Sequence, residues 1–122
     1  MKTLIVEDNE FNRDILERRL RRRGFEVFCA VDGEDGVDKA IELRPDVILM
    51  DVNLPIMSGW DATRAIKADP ASQHIPVIAL TARAFKSDIE ESFAAGCDAY
   101  EPKPVDFDRL LETIARVTRD RF

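Results

Sequence analysis

The run Val47-Ile48-Leu49-Met50 is continuous rather than alternating in its apolar residues, and it ends on an aspartate, Asp51. A strand that is apolar at every position has both faces covered, as in a parallel sheet flanked by helices. Parallel neighbours need long crossovers, so the rest of the chain must supply a helix between each such strand and the next. It does. Further short apolar runs stand at Thr3–Val6, Phe25–Ala30, Pro76–Leu80 and Ala99–Tyr100, and the segments between them have helical spacing. Ile15, Leu16 and Leu20 lead to a stop at Gly24. Val37, Ala40, Ile41 and Leu43 share a face before Pro45. Ala62, Ala65 and Ile66 precede the Asp69-Pro70 breaker, and Ile89 and Phe93 precede Gly96. Phe107, Leu110, Leu111, Ile114 and Val117 form the last stripe. Glycine after a helix and proline just beyond it are physical stop signals. The pattern predicts a doubly wound α/β fold, a five-stranded parallel sheet flanked by five helices with right-handed crossovers.

At 122 residues the chain fits one domain, 1–122, with no repeat, linker or low-complexity segment. The net charge of -6 argues against a nucleic-acid binder, because little would neutralise a run of phosphates. The arginines at 18, 19, 21, 22 and 23 are read as the solvated end of a helix, where cations suit the dipole. No apolar run reaches the roughly 20 residues of a membrane span, and Leu4–Val6 is too short for a signal peptide. A cytoplasmic location is expected, with Cys29 and Cys97 as buried reduced thiols. Met1 directly before the first strand suggests a natural start, although an excised domain would read the same.

In open α/β sheets the ligand site lies beyond the carboxyl ends of the strands. The first strand is followed there by Glu7 and Asp8, the third ends on Asp51, the fourth reaches Thr81, and Lys103 follows the fifth. Ionised carboxylates crowded together repel one another unless cations intervene. Lys103 supplies one charge, and an all-oxygen donor set selects a hard divalent ion, Mg2+. An ammonium and a metal beside a carboxylate nucleophile are what phosphoryl transfer requires. Thr81 can then donate to a phosphoryl oxygen, with small Ala82 leaving room. Each residue has a plainer role alone, as a helix cap or loop residue. Their joint placement at the ends of four strands favours a site.

The texts LIVEDN at 4–9, ILMDVNLPIMSGWD at 48–61, VIALTA at 77–82, AGCDAY at 95–100 and KP at 103–104 resemble the receiver domain of two-component response regulators, of the single-domain, CheY-like type. The resemblance implies strand order 2-1-3-4-5 and a Lys103–Pro104 bond that is usually cis. It implies Asp51 as phosphoacceptor, Asp8 as a direct Mg2+ ligand, Glu7 acting near the ion through water, and Asn53 ligating through its backbone carbonyl. Lys103 would bind the phosphoryl group, and Thr81 and Tyr100 would form the switch pair. The implied partners are a histidine kinase or histidine phosphotransfer protein and a downstream protein on the face of the fourth helix, fifth strand and fifth helix. Neither nucleic acid nor membrane is implied, and the only catalysis expected is of the domain's own phosphorylation and dephosphorylation.

Some positions depart from the common pattern. Glu7 stands where aspartate is usual, and Pro102 stiffens the loop before Lys103 and removes a backbone donor. Asn53 and Arg83 match positions that tune phosphoryl lifetime; Arg83 either lies across the site or points into solvent. Tyr100 is either a switch or a half-buried strand tyrosine. Phe11 either docks on a histidine-bearing donor helix or packs locally. Three rival functions fit parts of the same pattern. An aspartyl-nucleophile phosphatase would carry a second aspartate where Asn53 stands. A nucleotide-binding module would carry a glycine-rich phosphate loop after the first strand, where Glu7 and Asp8 lie instead. The third is a receiver-like adaptor that works without phosphorylation.

Overall fold

The computed structural model describes residues 1–83 and 85–119. Its elements alternate as the apolar runs require: β1 (Lys2–Val6), α1 (Glu10–Arg22), β2 (Glu26–Ala30), α2 (Gly33–Leu43), β3 (Val47–Asp51), α3 (Gly59–Ala68), β4 (Val77–Thr81), α4 (Lys86–Ala95), β5 (Ala99–Pro102) and α5 (Phe107–Thr118). The strands form one parallel sheet in the order β2-β1-β3-β4-β5. The order reverses between β1 and β3, and that switch point opens a crevice at the carboxyl edge.

Successive residues of each central strand serve opposite faces. Leu4, Val6, Ile48, Met50, Val77 and Ala79 pack with Ala40 of α2 and Ala62 and Ile66 of α3. Ile5, Leu49, Ile78 and Leu80 pack with Leu16 and Leu20 of α1 and Phe107, Leu110 and Ile114 of α5. Asn9, Asp32, Ser58 and Asp106 cap α1, α2, α3 and α5 by accepting a hydrogen bond from the first-turn backbone, whereas α4, entered from Phe85, has no side-chain cap.

Two apolar stripes come out differently from the sequence expectation. On α4 the buried residues are Ser92 and Ala95, and Phe93 lies exposed. Ser92 can be buried because its hydroxyl is satisfied twice: it accepts from Trp60 Nε1 at 2.9 Å and donates to the Asp88 carbonyl at 3.0 Å. On α1, Ile15 is exposed beside a groove of about 470 Å³ between α1 and the β5–α5 loop. Cys97 is buried as expected, but Cys29 is only partly so, its thiol donating to Glu17. The arginine cluster is not wholly solvated. Arg19 and Arg23 lie over the Phe107 ring, and Arg21 pairs with Glu17 and donates to the Val27 carbonyl.

Candidate functional site

Parallel pairing in register brings the ends of β1, β3 and β4 side by side, so Glu7, Asp51 and Thr81 become neighbours on one edge. Lys103 reaches them from just beyond β5. Its Nζ donates to Glu7 Oε1 at 2.8 Å and lies 3.3 Å from Asp51 Oδ1. Glu7 and Asp51 are buried, and Asp8 is exposed at the mouth. One carboxylate oxygen from each of Glu7, Asp8 and Asp51 falls within 4.8 Å of the others, the only such cluster among the described residues.

The local sequence explains how each group is held. The Asn9 N–H donates to Glu7 Oε2 at 3.4 Å, and Arg13 Nη1 donates to the Glu7 carbonyl at 3.0 Å. The Asn53 N–H donates to Asp51 Oδ1 at 3.2 Å. Pro102 has no N–H, but the next residue makes up for it: the Lys103 N–H donates to the Thr81 carbonyl at 2.7 Å. The Lys103–Pro104 bond is cis. Sequence reasoning missed the parts played by Asn9, Arg13 and Gly59. A Cβ on Gly59 would lie 2.1 Å from the Asp51 carbonyl oxygen, so only glycine lets α3 start this close to Asp51. The glycine inside the SGWD text was the available signal.

The electrostatics follow from this crowding. Burial, then the hydrogen bond and charge of Glu7, push the Asp51 carboxyl up to about 7 against the opposing pull of Lys103. Burial also acts to raise Glu7, but the hydrogen bonds shared with Asp51 and Lys103 outweigh it and hold Glu7 low. For Lys103, burial opposes the charge, and its contacts with the two carboxylates outweigh burial and raise it. The pair of buried acids thus shares one ammonium, and a further cation has a place. All three acidic donors offer oxygen, the donor set of a hard divalent ion.

The remaining sequence candidates lie around this centre. Thr81 is buried, and its hydroxyl donates to the Arg83 carbonyl at 2.6 Å and accepts from the Arg83 N–H at 3.0 Å. Arg83 itself is exposed, its guanidinium 5.6 Å from the Phe85 ring centre. Tyr100 is partly buried, edge-on to Phe93 with ring centres 6.2 Å apart. Phe11 is 72% exposed and Asn53 is exposed.

The family model described as "Response regulator receiver domain" matches residues 3–115. The chain belongs to that family. The polar-differentiation response regulator DivK of Brucella anthropi is 44% identical over 111 residues, covering 91% of this chain and 90% of the relative. Among solved structures, the receiver domain of the sensor histidine kinase PA1611 from Pseudomonas aeruginosa PAO1 is 38% identical, with TM-score 0.90 and 96% of each chain covered. That domain holds a magnesium ion coordinated in its active-site cleft. The receiver domain of Ssk1 from Saccharomyces cerevisiae, co-crystallised with the histidine phosphotransfer protein Ypd1, is 28% identical, with TM-score 0.92 over 99% of this chain and 90% of that one. As a receiver, the protein is a component of two-component phosphorelay signalling rather than a classical enzyme. Among the described residues, no helix is long and apolar enough to cross a membrane.

Proposed function

We propose that Asp51 is the phosphoacceptor of a Mg2+-dependent receiver spanning 1–122, charged by a phosphohistidine on a histidine kinase or histidine phosphotransfer protein. The carrying observation is the convergence of Glu7, Asp8, Asp51 and Lys103 at the switch point of the sheet. An Asp51 carboxylate oxygen forms a bond to phosphorus as the phosphorus–nitrogen bond to the donor imidazole breaks, and the imidazole leaves with a proton from solvent. Glu7, Asp8, Asp51 and the Asn53 backbone carbonyl are the residues that would hold magnesium; the related PA1611 receiver has a magnesium ion coordinated in its active-site cleft. When bound, magnesium would neutralise the charge between the acidic cleft and the incoming phosphate. Lys103 binds the phosphoryl oxygens, and this self-catalysed gain and loss of a phosphoryl group is the only catalysis assigned.

Phosphorylation adds roughly two negative charges next to Thr81. The Thr81 hydroxyl exchanges its contact with the Arg83 carbonyl for a phosphoryl oxygen, and Tyr100 follows, shifting its packing on Phe93. The α4–β5–α5 face thereby changes shape for a downstream protein partner. Only a state already accessible is favoured in this way. No nucleic acid or membrane is part of this reading, and the compartment assigned is the cytoplasm, where ATP charges histidine donors. Incubation with acetyl phosphate tests it. Wild type should acquire label only with Mg2+, and Asp51→Asn should acquire none; label that survives in the variant would falsify the assignment.

A further inference from the structure

The loop between β3 and α3, residues 52–58, starts and ends at one spot. The Gly59 N–H donates to the Val52 carbonyl at 2.9 Å, and the Gly59 backbone presses on the Asp51 carbonyl. Met57 is pinned from the other side. A Cβ on Gly33, at the start of α2, would fall 2.2 Å from the Met57 carbonyl oxygen. Between these clamps the chain reverses within three residues: the Met57 N–H donates to the Pro55 carbonyl at 2.7 Å, with Ile56 at φ 71°. A γ-turn with positive central φ is rare and strained. At positive φ a β-branched residue is an outlier, whereas glycine adopts such backbone freely and asparagine is enriched there.

The Ile56 side chain gains nothing from folding either, since it is 79% exposed, the most exposed large hydrophobic among the described residues. Strain persists where the surroundings enforce it, and it gathers at functional sites. Here the two glycine contacts enforce it, and the result is an apolar side chain fixed at the tip of a loop rooted on Asp51. Phe11, in the first turn of α1, and Phe85, on the loop between β4 and α4, are 72% and 64% exposed beyond the carboxyl ends of β1 and β4. Asp51 itself is only 4% exposed. The acidic cleft thus has an apolar rim. A histidine side chain is short, so a protein delivering a phosphohistidine to Asp51 must press its own backbone against that rim. A small acyl phosphate has no such need.

We infer that Ile56 is a docking residue for the protein phosphodonor: held outward by its strained turn, it packs on the apolar flank of the phosphohistidine-bearing helix and sets that helix over Asp51. The inference rests on the phosphorelay reading above. A second copy of this chain is a poorer occupant, because it would bring another acidic cleft against Glu7, Asp8 and Glu10. The histidine phosphotransfer protein crystallised on the Ssk1 receiver is an occupant of the required chemistry. Ile56 touches no reacting atom and is therefore a positioning residue.

The test compares two donors. Purified histidine kinases of the source organism are autophosphorylated with ATP, and the one that transfers fastest to wild type is used beside acetyl phosphate with Mg2+. Ile56→Asn and Ile56→Gly should lower kcat/KM for transfer from the kinase about tenfold, the factor that burial of one such side chain is worth. Labelling by acetyl phosphate should stay within about twofold, and Tm should rise by about 3–5 °C as the turn relaxes. Ile56→Leu should keep most of the transfer rate. Unchanged transfer in the Asn and Gly variants overturns the inference, as does acetyl phosphate labelling that falls in step with it. Failure of the underlying reading looks different, because wild type itself would then be labelled by neither donor.

Discussion

The acidic cleft and the α4–β5 surface are held in opposite ways. In the cleft, buried carboxylates repel one another across a single ammonium, and close backbone contacts at Gly59 and Gly33 keep the surrounding loop in place. Among the described residues, the α4–β5 surface crowds no pair of buried carboxylates around a shared cation, though Asp88 Oδ2 on α4 is buried without a partner. Its parts are lightly held. α4 lacks a side-chain cap, Phe93 is half exposed, and its edge-on contact with Tyr100 lies open to solvent on one side. Electrostatic cost is concentrated in the cleft, where the proposed phosphoryl group would add charge, and the lighter packing lies on the face proposed for a downstream partner. A region of few buried contacts opens at low free energy, whereas an over-determined one does not.

The comparison breaks most readily at Lys103. Lys103→Met leaves Glu7 and Asp51 buried together without a cation, which should cost about 2–3 kcal/mol at pH 8, somewhat below the figure for a fully buried pair because Lys103 keeps partial exposure. Urea unfolding measures it. The deficit should shrink at pH 5, where Asp51 takes up a proton, and equal deficits at both pH values would show that the carboxylates do not strain the cleft.

Next in size is the proton linkage of Asp51. Its folded value of about 7 stands above the ordinary 3.9 or so of an unfolded aspartate, so the folded state binds more protons between those values. Stability should therefore fall as pH rises from about 4 to about 7 in metal-free buffer, then level off. Glu7, held low, works the other way and loses its contribution only on further acidification. Asp51→Asn should gain about 1–3 kcal/mol at pH 8 and little at pH 4, the range being set below the full linkage value because the two acids titrate together. Added Mg2+ should flatten the wild-type profile. A profile rising between pH 4 and pH 7 without metal would contradict the placement of the charge.

The smallest effect belongs to the other region. Phe93→Ala should destabilise by no more than about 1 kcal/mol, the worth of a half-exposed aromatic pair. Labelling of Asp51 by acetyl phosphate should be unchanged within error. A loss of several kcal/mol would mean that this surface is as firmly built as the cleft.

Much of this was legible in the chain. Short continuous apolar runs separated by helical segments fit central parallel strands, and that arrangement brings Asp51, Thr81 and the Glu7-Asp8 pair to one edge. Local cues misled where a polar group found a partner distant in sequence. Ser92 is buried in place of Phe93 because Trp60, 32 positions earlier, satisfies its hydroxyl. Glu101 is buried because Thr113 donates to it and Arg109 pairs with it from α5. Neither pairing has a periodic signature.

Run length and residue chemistry by themselves determined the sheet, the edge that carries the site, and the set of oxygens and one ammonium that crowd there. Only the tertiary structure decided which carboxylate Lys103 holds closest, that Thr81 spends its hydroxyl on the Arg83 carbonyl, and that Ile56 is turned outward at positive φ. The physical reason is range. Hydrophobic periodicity is written residue by residue, whereas hydrogen-bond partners, proton affinities and backbone strain depend on groups that meet only when the chain is closed.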